Sequence, residues 1–199
     1  GNSVTIHVPT NTAGVFVYEL LSIRDGSPTQ CTNSANGTAT ITVNQLPVPT
    51  ISGTSIVCLG IPTVYTTEPG MNGYMWTVNG GGTIVDGAGT NSITVMWSTT
   101  GPKTVSVNYS NENNCTASAP ALYYINVTSL PVPHITGPST VCANSTDNIY
   151  YTEAYQSNYT WTISAGGTIT SGAGTNSVHV SWHTAGPQTI SVNYTNSNG

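Results

Sequence analysis

Acid–base, metal or covalent chemistry in this 199-residue chain would have to come from four histidines, seven carboxylates, four cysteines and two cations. His179 and His183 stand at i and i+4. On a strand that puts them on one face about 13 Å apart, too far to share a metal ion. His7 and His134 have no histidine counterpart elsewhere in the chain and read as exposed surface residues. The carboxylates are Glu19, Asp25, Glu68, Asp86, Glu112, Asp147 and Glu153. Asp25-Gly26-Ser27 and Glu112-Asn113-Asn114 supply one carboxylate each, whereas calcium usually takes several oxygen ligands with more than one carboxylate. No cofactor is expected; Ca2+ held between modules is the alternative. No Gly-x-Ser-x-Gly elbow occurs, and Gly87-Ala88-Gly89-Thr90 lacks a phosphate-binding lysine and a following helix, so it reads as a turn. No catalytic residue is assigned and the chain is not expected to be an enzyme.

Two groups of side chains remain. Cys31, Cys58, Cys115 and Cys142 show no Cys-x-x-Cys spacing of the kind metal and redox sites use, and their presence points to an oxidising, extracellular setting. They can pair across the linkers as Cys31–Cys58 and Cys115–Cys142. They can also pair within a unit as Cys58–Cys115, with the mates of Cys31 and Cys142 outside the chain; this second pairing is the preferred one. Among the aromatics, Trp76, Trp97, Trp161 and Trp182 run in phase with aliphatic rows and are expected in the core. Tyr65, Tyr124, Tyr151 and Tyr155 fall out of phase or near loops and are the candidates for stacking on a sugar.

The elements that position these groups are repeated. Leu46-Pro47-Val48-Pro49 recurs as Leu130-Pro131-Val132-Pro133, 84 residues on, and Val57-Cys58 recurs as Val141-Cys142. After one inserted residue the offset becomes 85 and holds through Trp76/Trp161, Gly87–Ser92/Gly172–Ser177, Trp97/Trp182 and Val107-Asn108-Tyr109/Val192-Asn193-Tyr194. Of the carboxylates, only Glu68 and Glu153 recur between the two larger units. Cys31 lies 84 residues before Cys115. The chain therefore divides into the C-terminal half of a repeat (1–46), a complete repeat (47–130) and a repeat lacking its last strand (131–199), as a piece of a longer protein would.

Within a repeat the hydrophobic period is 2. Inward rows are expected at Tyr74, Trp76 and Val78; at Ile93, Val95 and Trp97; at Val105, Val107 and Tyr109; and at Tyr123, Ile125 and Val127. A weaker row is expected at Val4, Ile6 and Val8. Turn signals such as Asn79-Gly80 and Asp86-Gly87 separate them. About seven short strands in some 85 residues predict an all-β chain of small sandwiches. The proline linkers favour extended geometry and would stack the sandwiches as a stiff rod.

Charged residues make up 5% of the chain and the net charge is −5. Two cations cannot neutralise a nucleic-acid backbone, and no stretch of about 18 apolar residues offers a membrane span. The outward rows are Thr, Ser and Asn, hydrated without strong fields.

These motifs taken together resemble PKD-like, immunoglobulin-type repeats. They are the Pro-Val-Pro lead-in, Ile-x-Gly-x-Ser/Thr-x-Val-Cys, Tyr-x-Trp-Thr, Gly-Gly-Thr-Ile, Gly-Ala-Gly-Thr-Asn-Ser, Trp-x-Thr-x-Gly-Pro and a closing Val-Asn-Tyr before a cysteine. Such modules occur in giant surface proteins of Bacteroidetes, including SprB-like gliding-motility adhesins exported by type IX secretion. One departure is that Trp76 is followed by Thr77-Val78-Asn79-Gly80, not the Trp-x-Phe-Gly-Asp stretch of true PKD domains. The resemblance implies a stalk or filament on a bacterial cell surface, with disulfides inside the domains and no catalysis in the repeats. Its partners would be neighbouring repeats and surface polysaccharide. The alternative is a set of carbohydrate-binding accessory modules on a secreted polysaccharide-degrading enzyme.

Overall fold

A computed structural model describes residues 5–197. Alternating β-branched and aromatic residues form seventeen strands and, among the described residues, no helix. The first repeat supplies β1 (Gly14–Glu19), β2 (Ser22–Arg24), β3 (Thr32–Ser34) and β4 (Thr38–Val43). The second supplies β5 (Ser52–Gly53), β6 (Ile56–Cys58), β7 (Thr63–Thr66), β8 (Asn72–Val78), β9 (Gly82–Asp86), β10 (Ser92–Trp97), β11 (Gly101–Ser110) and β12 (Ala121–Thr128). The third supplies β13 (Ser145–Tyr151), β14 (Ser157–Ile163), β15 (Gly167–Ser171), β16 (Ser177–Trp182) and β17 (Ile190–Thr195).

In the second repeat two four-stranded sheets, β5-β7-β10-β9 and β6-β12-β11-β8, form a sandwich. All pairings are antiparallel except β6 with β12, which run parallel. The third repeat carries the corresponding β13-β16-β15 and β14-β17. The first is a long hairpin in which β1 pairs β4 and β2 pairs β3.

The expected rows fill the core. Ile93, Val95, Trp97, Val105, Val107, Tyr109, Ile125 and Val127 are buried, as are Trp161, Val178, Val180 and Trp182. Trp76 packs half-buried against this cluster. Its Nε1 donates to Thr90 O at 2.8 Å, and Trp161 Nε1 repeats the bond to Thr175 O at 2.9 Å, so the Gly-Ala-Gly-Thr-Asn-Ser turn holds an indole in each repeat. The described part of the weak N-terminal row, residues 5–8, forms no strand. Val4 lies outside the described residues, and Ile6 is exposed in an irregular segment. The first hairpin has no opposing sheet among the described residues. Ile41 is accordingly 40% exposed where its register equivalent Ile125 is 3% exposed.

Candidate functional site

The chain's most organised polar cluster sits where each linker enters a sandwich. Prolines have no N–H, so the first backbone donor after Pro47-Val48-Pro49 is that of Thr50. It donates to Glu68 Oε2 at 3.1 Å, and the Thr50 hydroxyl donates to Glu68 Oε1. The Thr67 hydroxyl lies 2.7 Å from both Glu68 Oε2 and Thr50 O and is shared between them. From the opposite sheet the Tyr109 hydroxyl donates to Glu68 Oε2 at 2.7 Å. Tyr74 stands edge-on to Tyr109, with centroids 5.6 Å apart, and donates its hydroxyl to Glu68 O at 2.7 Å. Asn111, just beyond β11, donates its Nδ2 to Gln45 O at 2.8 Å. The carboxylate thus closes on the linker from one side while a loop amide grips it from another.

The third repeat rebuilds the cluster. His134 is the first donor after Pro131-Val132-Pro133, and its N–H lies 3.1 and 3.2 Å from the two Glu153 oxygens. Thr152 donates to Glu153 Oε2 at 2.6 Å and Tyr159 to Glu153 O at 2.7 Å. Tyr159 packs on Tyr194 at 5.8 Å, as Tyr74 packs on Tyr109. Leu130 and Pro131 line one hollow with Asn193, Tyr194, Thr195 and Asn196.

These bonds set the electrostatics. Burial works against ionisation of Glu68, but the donors from Thr50, Thr67 and Tyr109 outweigh it and hold the carboxyl at about 2. Burial and the neighbouring carboxylate push Tyr109 up to about 12. The Thr152 hydroxyl, with backbone donors, holds Glu153 at about 2. Both carboxylates are therefore ionised acceptors at neutral pH. Each is saturated by donors, which suits holding a chain and leaves no poised acid or base.

The sugar-stacking candidates separate. Tyr65 is 0% exposed at the centre of the core, so it cannot stack on a ligand and is corrected to a core residue. Its ring lies over Gly53, where a Cβ would stand 2.4 Å from Cδ1. The repeat register signals this, because Tyr65 corresponds to buried Tyr150, over Gly137, and not to Tyr151. Tyr124, Tyr151 and Tyr155 are 71%, 47% and 98% exposed. Tyr124 is on β12, Tyr151 ends β13, and Tyr155 is in the following loop.

Cys58 and Cys115 are not brought together. Cys58 ends β6 beside Thr128, near Val127 and hence the Gly101 end of β11, while Cys115 follows Ser110 at the other end. The ten residues of β11 keep them roughly 30 Å apart, against about 4–7 Å between the Cα atoms of a disulfide. The within-unit bridge is thereby replaced by two separated positions. The cross-linker pairings fare no better. Cys31 sits at the closed tip of the first hairpin, whose open end at Val43 leads into the linker. Cys58 occupies the end of its sandwich away from that linker.

Among the described residues no three of His, Cys, Asp and Glu gather as metal ligands. Asp25 Oδ1 accepts from Ser27 N and Oγ, and Asn111 Oδ1 accepts from Asn113 N, so both loops close on themselves. His179 bonds Asp147, and His183 lies 3.3 Å from the Thr168 hydroxyl. No helix among the described residues is long and apolar enough to cross a membrane.

The PKD-like domain model matches residues 44–125 and again 128–199. The chain belongs to the PKD-like domain family. No curated protein sequence matches it. Among solved structures it is similar to the Escherichia coli adhesin FdeC, at 13% identity over 94% of this chain and 83% of that one, with a TM-score of 0.39. It is similar to invasin, a bacterial integrin-binding protein, at 15% identity over 91% of this chain and 42% of that one, TM-score 0.32. It is also similar to domains 1–6 of the surface-layer protein SbsC, at 13% identity over 84% and 28%, TM-score 0.32. This PKD-like chain thus spans less than half of invasin and of SbsC.

Proposed function

We propose that these PKD-like repeats are a stalk segment of a large bacterial cell-surface adhesin, outside the cell, of the SprB-like kind that serves adhesion and gliding. The observation that carries this reading is the carboxylate clamp repeated at two linkers. A module whose task were ligand capture would spend its one recurrent acidic residue on a pocket, whereas Glu68 and Glu153 spend theirs on the incoming chain. The linker prolines restrict φ and the clamp removes the remaining freedom at Thr50 and His134. Successive sandwiches are then held in a line, which projects a distal binding region from the surface. The repeats are not enzymes on this reading. Their partners are neighbouring repeats, with weak multivalent contact to surface polysaccharide through exposed tyrosines such as Tyr124 and Tyr155.

Small-angle X-ray scattering on the full chain tests the stalk. A single extended particle is expected, and Glu68→Gln with Glu153→Gln should broaden its distance distribution. A chain that stays equally extended in the double variant would remove the clamp from the mechanism. A compact wild-type chain would remove the stalk. A glycan array on the same chain separates the accessory-module alternative, which requires saturable binding to a defined sugar.

A further inference from the structure

The cysteines lie at repeat junctions. Cys58 pairs with Thr128 at the end of β12, and Leu59 N–H donates to Thr128 O at 2.8 Å. Two residues on, Leu130 lines one hollow with Cys58 and another with Asn193–Asn196 of the third repeat. Cys58 therefore faces the next repeat's entrance. Cys115 is placed at its own repeat's entrance. Its N–H donates to Asn111 Oδ1 at 3.0 Å, and the same Asn111 donates from Nδ2 to Gln45 O at 2.8 Å.

The repeat register connects these facts. Gln45 corresponds to Ser129, and Asn44 corresponds to Thr128, the strand partner of Cys58. Through one asparagine, Cys115 thus reaches the backbone that neighbours a Cys58-type position of the preceding repeat. We propose that the Cys58-type cysteine of one repeat and the Cys115-type cysteine of the next form a disulfide across the junction, backing the Glu68 clamp with a covalent bond. In this register Cys31 is of the Cys115 type and Cys142 of the Cys58 type, so each repeat gives one thiol to each of two junctions. The chemistry is exchange with a low-molecular-weight disulfide. The two cysteine thiols give up two protons and two electrons as their S–S bond forms, and the donor's S–S bond breaks and leaves as two thiols.

The inference rests on the tandem-stalk reading, and one added residue tests it in the full chain. Gly199 corresponds to Asn114, so a cysteine appended after Gly199 takes the Cys115-type position of the third repeat. The protein is oxidised with glutathione disulfide, digested with chymotrypsin and mapped by mass spectrometry without reduction. The expected product is a monomer with Cys58 linked to the appended cysteine, while cysteines without a protein partner are recovered as thiols or glutathione mixed disulfides. Cys58→Ser should abolish that link and leave the appended cysteine as a thiol or a glutathione mixed disulfide. A Cys58–Cys115 bridge, a bridge from Cys142 to the appended cysteine, a bridge between molecules, or recovery of both cysteines without a link to any protein cysteine would overturn the proposal. Scattering from the reduced protein keeps the two failures apart, since a missing link in an extended chain overturns the staple alone and a compact chain overturns the stalk.

Discussion

The Tyr109 hydroxyl donates to Glu68 Oε2 at 2.7 Å, joining β11 of one sheet to the segment that follows β7 of the other, 41 residues apart in sequence. The same oxygen accepts the Thr50 N–H from the linker. Glu68 is therefore both an anchor for the incoming chain and a tie between the sheets at that end. A force pulling on the linker is delivered to both sheets at once, because the first bonds it meets lead to β7 and to β11.

Glu68→Gln tests that double role. The amide keeps the size but loses the charge that makes these bonds strong, and its NH2 turns a donor toward groups that also donate. Hydrogen bonds to a charged group contribute about 1.5–3 kcal/mol each before relaxation, and the site is half-buried, so a net loss of about 1–3 kcal/mol is expected. Urea unfolding followed by tryptophan fluorescence measures it. Tyr109→Phe, which removes one donor only, should cost less. Equal midpoints for wild type and Glu68→Gln would show that the cluster contributes nothing to stability.

The same carboxylates give the protein an acid limit. Glu68 and Glu153 are held at about 2 when folded, against 4.5 for the free group. Between these values the unfolded chain binds more protons, so the stabilisation is complete above about pH 4.5 and is lost as pH falls toward 2. Glu153 is more open to solvent and contributes the smaller share. At the other end Tyr109, held at about 12, favours the folded state fully below pH 10 and loses that contribution as pH rises through 12. Urea midpoints should be flat from about pH 5 to 9 and fall on both sides. The acid limb should flatten in Glu68→Gln with Glu153→Gln. An unchanged limb in that variant would assign acid sensitivity to other groups.

The sandwiches were legible in the sequence wherever a strand ran long enough to show its period. β10 and β11 carry six and ten residues of clean alternation, and their inward rows are the buried ones. Tyr65 was misplaced because β7 has only four residues, too few to fix a phase, although the register with Tyr150 carried the answer. Glu68 and Glu153 stood out as the recurring acids, but their task depends on Tyr109 and Tyr194, about forty residues on, and no local pattern brings those together. The Cys58–Cys115 pairing failed for a topological reason. β6 joins β12 in parallel at its far end, so neighbours by count lie at opposite poles.

Gly87 is the residue most tightly bound to its type. Its φ is +78°, and a Cβ there would stand 2.0 Å from Ser92 O, with Gly172 in the same state at 2.0 Å from Ser177 O. The turn cannot relax freely because Thr90, two positions before Ser92, accepts the Trp76 indole. Gly87→Ala should cost more than 2 kcal/mol, combining left-handed strain with displaced backbone. Gly89→Ala, where nothing lies within 4 Å of the added carbon, should cost far less. Thermal unfolding of the two variants side by side makes the comparison, and similar losses would show that the turn adapts.

Trypsin offers a direct reading of local stability, because the chain has two cleavable residues and the fold treats them oppositely. Arg24 is exposed on β2, in the hairpin that lacks an opposing sheet among the described residues. Lys103 lies on β11, flanked by β8 and β12, and is buried, with Nζ donating to Thr99 Oγ1 and Thr100 O at 2.9 Å each. A protease needs several residues of extended backbone drawn out of the fold. At Arg24 a local opening of the hairpin supplies them, whereas at Lys103 the central strand of a sheet must come apart. Native digestion should therefore cut after Arg24 and leave residues 25–199 as a persistent fragment, with the second cut appearing only at urea concentrations that unfold the second repeat. Time-resolved mass spectrometry measures both rates. Comparable rates at the two sites in the absence of urea would mean that β11 opens as readily as the free hairpin, which the closed sandwich around it does not allow.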